Sequence, residues 1–184
     1  MNGNSIEARS GISPESLVSG VSWAAILAGT AAAEAQDFEE TAATPTDRAV
    51  IASCVRDSGN TPRVCIGSVA VVCAQQAGGD RRVAEIDCSR REAAVWRERL
   101  EAAAGTLGPQ LESGARSRFA AVQRSWESYA AQKCAFIADV QPAARAPTMQ
   151  AGCELREVAN RALEVERLAR VQTQGERPRP RIER

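Results

Sequence analysis

The sequence predicts an all-α protein, a small disulfide-stapled bundle of helical hairpins. Three observations support this prediction. Alanine and arginine are abundant while β-branched runs are short, which favours helix over sheet. Apolar residues recur at helical spacing in several segments that are separated by glycine or proline. The six cysteines, an even number, flank the turns between these segments, and the 184-residue length suffices for one domain with tails.

The first 35 residues have most features of an export signal. An apolar run over residues 17–33 is short and rich in small side chains, and an Ala-x-Ala cleavage pattern follows at residues 33–35. The segment before the run is a poor n-region for a signal peptide, because it contains one basic residue, Arg9, and two acidic residues. A translation start after Met1 and an uncleaved membrane anchor therefore remain alternatives. We expect a signal peptide over residues 1–35, a periplasmic or secreted product, and no stable membrane span after cleavage.

The next segment leads into the helical domain. Residues 36–46 have the composition of a linker, and the helical domain is expected over residues 47–172. Thr46 is the expected N-cap of a first helix that runs to about Asp57. Serine, glycine, asparagine and proline over residues 58–62 then predict a turn.

Two further helices are predicted in the middle of the chain. The first runs from Arg63 to about Gln76, because two consecutive glycines follow it closely. The second runs from about Arg81 to Ala104, and its apolar face consists of Ile86, Ala93, Trp96, Leu100 and Ala103. Glycines and a proline beyond it predict a loop, or a helix with interruptions, over residues 105–114.

The C-terminal part predicts a helical hairpin. Its first helix has an apolar face made of Phe119, Val122, Trp126, Ala130 and Ile137. Two prolines over residues 141–147 predict the turn. The second helix has an apolar face made of Leu155, Val158, Ala162, Val165 and Ala169. Residues 173–184, which end in a run rich in arginine and proline, are expected to be a disordered tail.

The cysteines of the hairpin are placed symmetrically about its turn. Cys134 and Cys153 are equally far from the turn centre, and Cys134 is in phase with the apolar face. Two antiparallel helices therefore carry the sulfurs at equal height, close enough for the Cα separation of about 4.4–6.8 Å that a disulfide needs. We expect this disulfide; two buried free thiols are the alternative.

The other four cysteines leave two pairings open. If Cys65 and Cys73 share one helix, they lie roughly 12 Å apart along its axis and cannot bond to each other. The remaining choices are Cys54–Cys65 with Cys73–Cys88, and Cys54–Cys73 with Cys65–Cys88. Symmetry about the predicted turns favours the first. Disulfides require an oxidising compartment, which agrees with export.

Composition excludes several classes of function. The chain has no histidine, which excludes Ser-His-Asp and Cys-His nucleophilic sites and imidazole-bound zinc. No Cys-x-x-Cys pair is present to bind a metal, and the charges cancel, 23 against 23, without a basic patch for nucleic acid. A hydrolase with two carboxylates would need paired acids in a cleft, and we expect none. We therefore predict no catalytic residue, metal or cofactor, and a protein that is not an enzyme.

Two groups of residues carry a resemblance to a known family. In the C-terminal part they are Gln123, Arg124, Trp126, Tyr129, Cys134, Cys153 and Arg161. Upstream they are Cys54, Cys65, Ile66, Gly67, Cys73, Cys88, Glu92 and Trp96. Over about residues 50–170 this pattern resembles the lysozyme-inhibitor LprI-like N-terminal domain family, in its alphaproteobacterial version. The resemblance implies a small, exported, helical bacterial protein with disulfides, and it gives the residues other than cysteine a structural role.

The chain departs from that family pattern at several positions. The residues found at those positions are Glu101 (usually Asn), Ala104 (usually Tyr), Ala130 and Ala131 (usually Arg and Asp) and Val158 (usually Thr). The polar signature is thus partly lost, while the cysteines and tryptophans are kept. This combination favours a retained fold over a retained surface function.

The resemblance leads to two functional hypotheses. The first is a periplasmic binding module whose partner is lysozyme or another cell-envelope protein. An inhibitor of this kind needs a protruding loop or an acidic patch, and the candidate loops 105–114 and 141–148 contain no acid other than Glu112. The alternative is a non-enzymatic structural or stress-related envelope protein without a specific enzyme target. No partner-binding residue is predicted.

Overall fold

A computed structural model describes residues 42–175 and contains five α-helices. They are α1 (Pro45–Asp57), α2 (Ala70–Gln76), α3 (Arg81–Gln110), α4 (Ser113–Asp139) and α5 (Ala146–Gly175). A 3-10 turn, Pro62–Cys65, lies between α1 and α2, and residues 42–175 contain no strand. The all-α prediction is confirmed. The predicted signal peptide, most of the predicted linker and the last nine residues of the chain lie outside the described residues.

The three long helices form an up-down-up bundle. Arg99 of α3 contacts Glu166 of α5 at 2.8 Å, and further along both helices Gln110 donates to Thr173 at 3.3 Å. The second contact lies closer to the C-terminus than the first in both helices. Helices α3 and α5 therefore run in the same direction. A short connection joins α4 to each of them, so α4 runs the opposite way. The two shorter helices pack on this bundle, mainly against α3.

Most of the core lies between α3 and α5. The predicted apolar faces of these two helices are buried at Ala93, Trp96, Leu100, Ala103, Leu155, Val158, Ala162, Val165 and Ala169. Helix α4 contributes one buried residue, Cys134, together with partly buried Phe119 and Trp126. The prediction that Val122 belongs to the packed face is wrong, since its side chain is 51% exposed. Helix α4 therefore rests on the other two helices along a narrow strip.

Helix α1 begins two residues earlier than predicted. Its N-cap is Thr44 rather than Thr46: the Thr44 hydroxyl accepts from the Asp47 N–H, and the Asp47 carboxylate accepts from the Thr44 N–H. This reciprocal pair is a capping box. Pro45 then occupies the first helical position, where its missing N–H is no loss.

The predicted helix over residues 63–76 is divided into the 3-10 turn and α2. The chain bends between them at Gly67, whose φ of +98° lies in the left-handed region that favours glycine. The bend points three N–H groups at one side chain of α3. The Glu92 carboxylate accepts from the N–H groups of Gly67 at 2.7 Å, Val69 at 2.9 Å and Ala70 at 2.7 Å. Glu92 thus serves as the cap that the start of α2 lacks locally.

Helix α3 extends beyond the predicted end. It continues through most of the predicted 105–114 loop to Gln110, because Leu107 is buried against the bundle. The Arg116 guanidinium of the next helix donates to the carbonyl oxygens of Gly108 at 2.9 Å and Leu111 at 3.0 Å. The Gly108 carbonyl also accepts from the Leu111 N–H at 3.3 Å, so Arg116 adds a second donor there and supplies a donor to Leu111 at the helix end. Only two residues separate α3 from α4, so this region forms no protruding loop.

Three disulfide bonds cross the turns. The pairs are Cys54–Cys65, Cys73–Cys88 and Cys134–Cys153, with Cα–Cα distances of 5.8, 5.7 and 5.5 Å. These are the pairs that symmetry about the turns favours. However, excluding a Cys65–Cys73 bond assumed that one helix contains both residues, and the chain bends between them. All six cysteines of the sequence are therefore bonded.

The hairpin turn and the helix after it also differ slightly from prediction. Helix α5 starts at Ala146, so Pro147 lies in its first turn, where proline is tolerated. The helix ends at Gly175, and residues 173–175 of the predicted tail are helical. Among the described residues, no helix combines the length and the apolar character that crossing a membrane requires.

A partly buried ion pair ties α1 to α3. Arg91 donates to both carboxylate oxygens of Asp47, at 2.7 and 2.8 Å. Burial raises the pKa of Asp47, but hydrogen bonds from Arg91 and Thr44 outweigh this effect and lower its pKa to about 2. Because this folded-state pKa lies below the unfolded value, the pair stabilises the fold above about pH 4, and its contribution is lost as the pH falls towards 2.

We therefore expect Asp47→Asn to cost about 2 kcal/mol of unfolding free energy at pH 5. The difference in unfolding free energy between wild type and Asp47→Asn should become smaller towards pH 2, where the wild-type Asp47 carboxylate becomes protonated. Urea unfolding at both pH values measures this change. Asp57→Asn, at an exposed ion pair, is the control and should cost under about 1 kcal/mol of unfolding free energy. A constant difference between wild type and Asp47→Asn would contradict the assignment.

A second prediction concerns Glu92, which is fully buried. Glu92→Gln replaces one acceptor oxygen with an NH2 group that faces N–H donors, and it should cost about 2–4 kcal/mol in urea unfolding. Glu85→Gln removes an exposed carboxylate from the same helix and should cost under about 1 kcal/mol. Equal losses in the two variants would show that Glu92 does not hold the bend.

Candidate functional site

The structure gathers the motif residues into two clusters. In the first, the Trp96 indole N–H donates to Glu92 at 2.9 Å, and both side chains are fully buried. In the second, Arg161 of α5 donates from Nε to the Gln123 side-chain oxygen of α4 at 2.6 Å. The Arg161 guanidinium also lies over the Trp126 ring, 6.0 Å from its centroid. The second cluster therefore fastens α4 to α5.

Arg161 is buried, with only 7% of the residue exposed, and its guanidinium contacts several side chains. Besides Gln123, it contacts Glu164 at 2.8 Å through Nη1. A buried guanidinium needs such partners because its charge is costly to remove from water. The other two motif residues on α4, Arg124 and Tyr129, are exposed and stand apart from this cluster.

Next to the Arg161 cluster, the three long helices enclose a groove of about 380 Å³. We call it the central groove. Its lining residues are Arg97, Leu100, Glu101 and Ala104 of α3, Gln123, Trp126, Glu127, Ala130 and Ala131 of α4, and Glu154, Glu157 and Val158 of α5. The motif residues Gln123 and Trp126 thus form part of its wall. Trp126 is partly buried and packs against the core, as its position on the apolar face of α4 predicts, and the rest of its ring lines the groove.

The positions at which the chain departs from the family pattern meet in this groove. These positions are Glu101, Ala104, Ala130, Ala131 and Val158, and all five line it. Three of them are alanines on facing helices, so short side chains leave the space between α3 and α4 open. The sequence differences are therefore concentrated on one surface and are not scattered over the fold.

The rim of the central groove is acidic. Four glutamates line it, against the single cation Arg97. Glu157 accepts from Lys133 at 2.7 Å, a bond that raises the pKa of that lysine, and Glu154 accepts from Gln150 at 2.9 Å. The sequence predicted no cleft lined by paired acids; the groove brings four glutamates of three helices to one surface.

Two of the glutamates are available to a partner. Glu101 and Glu127 are both exposed, and neither forms an ion pair within residues 42–175. The acidic patch therefore lies on helices, away from the predicted loops.

The chemistry of the groove suits a cationic side chain. An arginine or lysine entering it could lay its apolar stem along Trp126 and the alanines while its charge meets carboxylates at the rim. A charge over the Trp126 ring would gain further from the ring's quadrupole. Within residues 42–175, no group of three or more acidic or cysteine side chains is arranged to hold a metal ion.

Two wider grooves flank α2 and contain different residues. One, of about 660 Å³, is lined by valines and by the Cys73–Cys88 disulfide, and the other, of about 740 Å³, lies between α2, α3 and the start of α5. Neither contains Gln123 or Trp126. The central groove is therefore the candidate functional site.

Sequence reasoning missed most of the acidic rim. Glu127, Glu154 and Glu157 lie on two helices and become neighbours only when the hairpin closes. The three-residue spacing of Glu154 and Glu157 places both on one face of α5, which was the one local signal. Glu101 lies near these three glutamates only because α3 and α5 run in the same direction, which the sequence does not reveal.

Comparison with known proteins places this site within a family. A family model described as "Lysozyme inhibitor LprI" matches residues 73–165, about half of the chain. The match includes every residue that lines the central groove and four of the six cysteines. No curated protein and no solved structure matches the chain.

The Cys134–Cys153 bridge should control the wall of the groove, since α4 buries little else. Replacing both cysteines with serine should raise hydrogen exchange of α4 amides by about tenfold or more, while α3 amides stay protected. Exchange followed by mass spectrometry measures each helix in one sample. The matched control, serine at Cys54 and Cys65, should loosen α1 instead. Unchanged exchange in α4 would contradict this role.

Proposed function

The chain belongs to the lysozyme inhibitor LprI family, and on this premise we propose that it is an exported module that binds and inhibits a lysozyme through the central groove. One observation supports this most directly: the groove presents an acidic rim over an aromatic and alanine floor. We propose that a basic side chain of the partner enters it. The proposed target is an enzyme of the cell envelope, reached after cleavage of the predicted signal peptide.

Export is consistent with the cysteine chemistry. Three disulfides among six cysteines are stable outside the cytosol, where glutathione and thioredoxin do not reduce them. A periplasmic or secreted location would bring the protein close to the peptidoglycan that lysozyme cleaves. The signal peptide over residues 1–35 is part of this proposal.

The groove fits binding better than catalysis. Lysozymes themselves use two carboxylates, one of which must donate a proton to the leaving group. In the groove, the Glu157 carboxylate is already engaged in an ion pair with the Lys133 ammonium at 2.7 Å. Glu101 and Glu127 are exposed, so a cationic group of a partner can reach both side chains. Inhibition would follow from covering the enzyme's cleft.

The proposal predicts that inhibition depends on charge at the rim. Wild-type protein should reduce lysozyme hydrolysis of peptidoglycan saturably. The double variant Glu101→Lys with Glu127→Lys should weaken this inhibition about tenfold or more, because its charges repel a basic partner surface. Both positions are exposed, so the fold should be retained, as circular dichroism can verify. Rising salt concentration should weaken inhibition by the wild type more than inhibition by the variant.

A matched control separates the groove from net charge. Asp57→Lys with Glu85→Lys makes the same change in net charge at positions outside the groove. It should inhibit like the wild type. Equal loss in both double variants would indicate nonspecific electrostatics. If the wild type leaves lysozyme unaffected at micromolar excess, the inhibitor proposal fails and a structural envelope role is favoured.

A further inference from the structure

The solvent-facing side of α4, together with the C-cap residue that follows it, carries four large apolar residues. They are Val122, Tyr129, Phe136 and Val140, which we call the outer face, and they are 51%, 57%, 65% and 59% exposed. No other described helix exposes an apolar row of this length, since the remaining exposed residues of this kind are all valines on other elements. Within residues 42–175, nothing covers these side chains.

The outer face points away from the central groove. Tyr129 lies two residues from Glu127 and two from Ala131, both of which line the groove. At about 3.6 residues per turn, positions two apart differ by roughly 200° around the helix and so face opposite ways. A partner on the outer face would therefore leave the groove accessible.

The spacing of the outer face indicates what covers it. Val122, Tyr129 and Phe136 are seven residues apart, which is the repeat that keeps one apolar row facing a second helix along its length. Tyr129 is also held in place, because the Lys133 ammonium lies over its ring, 5.6 Å from the centroid, and is itself bonded to Glu157. The row is thus built on a fixed part of the surface.

We propose that the outer face is a homodimer interface in which α4 of two copies pack antiparallel, centred on Tyr129. In this register Val122 of one copy meets Phe136 of the other and Tyr129 meets Tyr129, so these three positions complement themselves, as a two-fold interface requires, while Val140 lies opposite the Arg118 side chain. Arg118 then lies beside Asp139 of the second copy, at both ends. Neither residue forms an ion pair within residues 42–175.

Charge selects the antiparallel arrangement. In a parallel pair centred on the same residue, Arg118 would oppose Arg118 and Lys133 would oppose Lys133, and like charges at such positions repel. In the antiparallel pair Lys133 faces Ser125. The surface therefore complements an inverted copy of itself better than a parallel one.

The area predicts a weak dimer. From the exposed fractions, the four side chains offer on the order of 400 Å² per copy, about half of what a stable interface buries on each partner. Flanking residues add to this area, but most of them are polar or small. We therefore expect a monomer–dimer equilibrium at micromolar or higher concentration. A dimer would present two central grooves at once.

Sedimentation equilibrium over a range of protein concentrations tests the proposal. Wild-type protein should show a reversible dimer, and Phe136→Glu should weaken association about tenfold or more. Val171→Glu places the same charge at a valine of similar exposure, 55%, outside the outer face and should behave like wild type. A protein that stays monomeric up to millimolar concentration, or a dimer that Phe136→Glu does not weaken, would overturn the proposal.

A charge exchange tests the orientation. Arg118→Asp and Asp139→Arg should each weaken the dimer, because each places like charges side by side at both ends. The variant carrying both changes should associate like the wild type, since the pairs are restored in reverse. Circular dichroism verifies that each variant is folded. If the variant with both changes dimerises no more tightly than the variants with one change, the antiparallel register is overturned.

Discussion

The Glu92 carboxylate is the interaction on which the N-terminal half of the fold depends. It accepts hydrogen bonds from three backbone N–H groups at the bend before α2 and from the Trp96 indole. A fully buried carboxylate is costly unless every lone pair finds a donor. Here the three backbone donors come from a segment more than twenty residues earlier, so satisfying Glu92 requires α2 to sit against α3. The bend at Gly67 in turn brings Cys65 and Cys73 to different partners.

Because the core contains many small side chains, the disulfide bonds contribute a larger share of the stability of the fold. Of the buried residues between α3 and α5, several are alanines, and each alanine buries far less apolar area than leucine or phenylalanine. Small residues let helices approach closely but leave a modest hydrophobic free energy. The Cys134–Cys153 bridge closes a loop with a sequence separation of 19, which adds roughly 3 kcal/mol in the chain-entropy model. Helix α4, with one buried residue, depends on this bridge and on the Gln123–Arg161 bond.

Local patterns predicted the helices, and nonlocal contacts decided where prediction failed. Periodicity identified the faces of α3 and α5, because a core-facing stripe repeats with the helical turn. The break before α2 depends on Glu92, and the extension of α3 depends on Leu107 packing and on Arg116 binding its last carbonyls. The contacts of Glu92 and Arg116 have no signal within one helix, whereas Leu107 continues the apolar spacing of Leu100 and Ala103. The acidic rim was missed for the same reason, since Glu101, Glu127 and Glu154 belong to three helices.

The loose attachment of α4 explains why it carries two different surfaces. A helix in a crowded core buries most of its circumference, whereas α4 rests on its neighbours along one strip and leaves both flanks in solvent. One flank faces α3, and short side chains at Ala104, Ala130 and Ala131 keep the space between them open. The other flank carries the apolar row centred on Tyr129. Because the Cys134–Cys153 bridge fixes the height of α4 against α5, the position of both surfaces is set by a covalent bond rather than by extensive packing. A ligand in the groove and a helix on the outer face would thus stabilise the same wall from opposite sides.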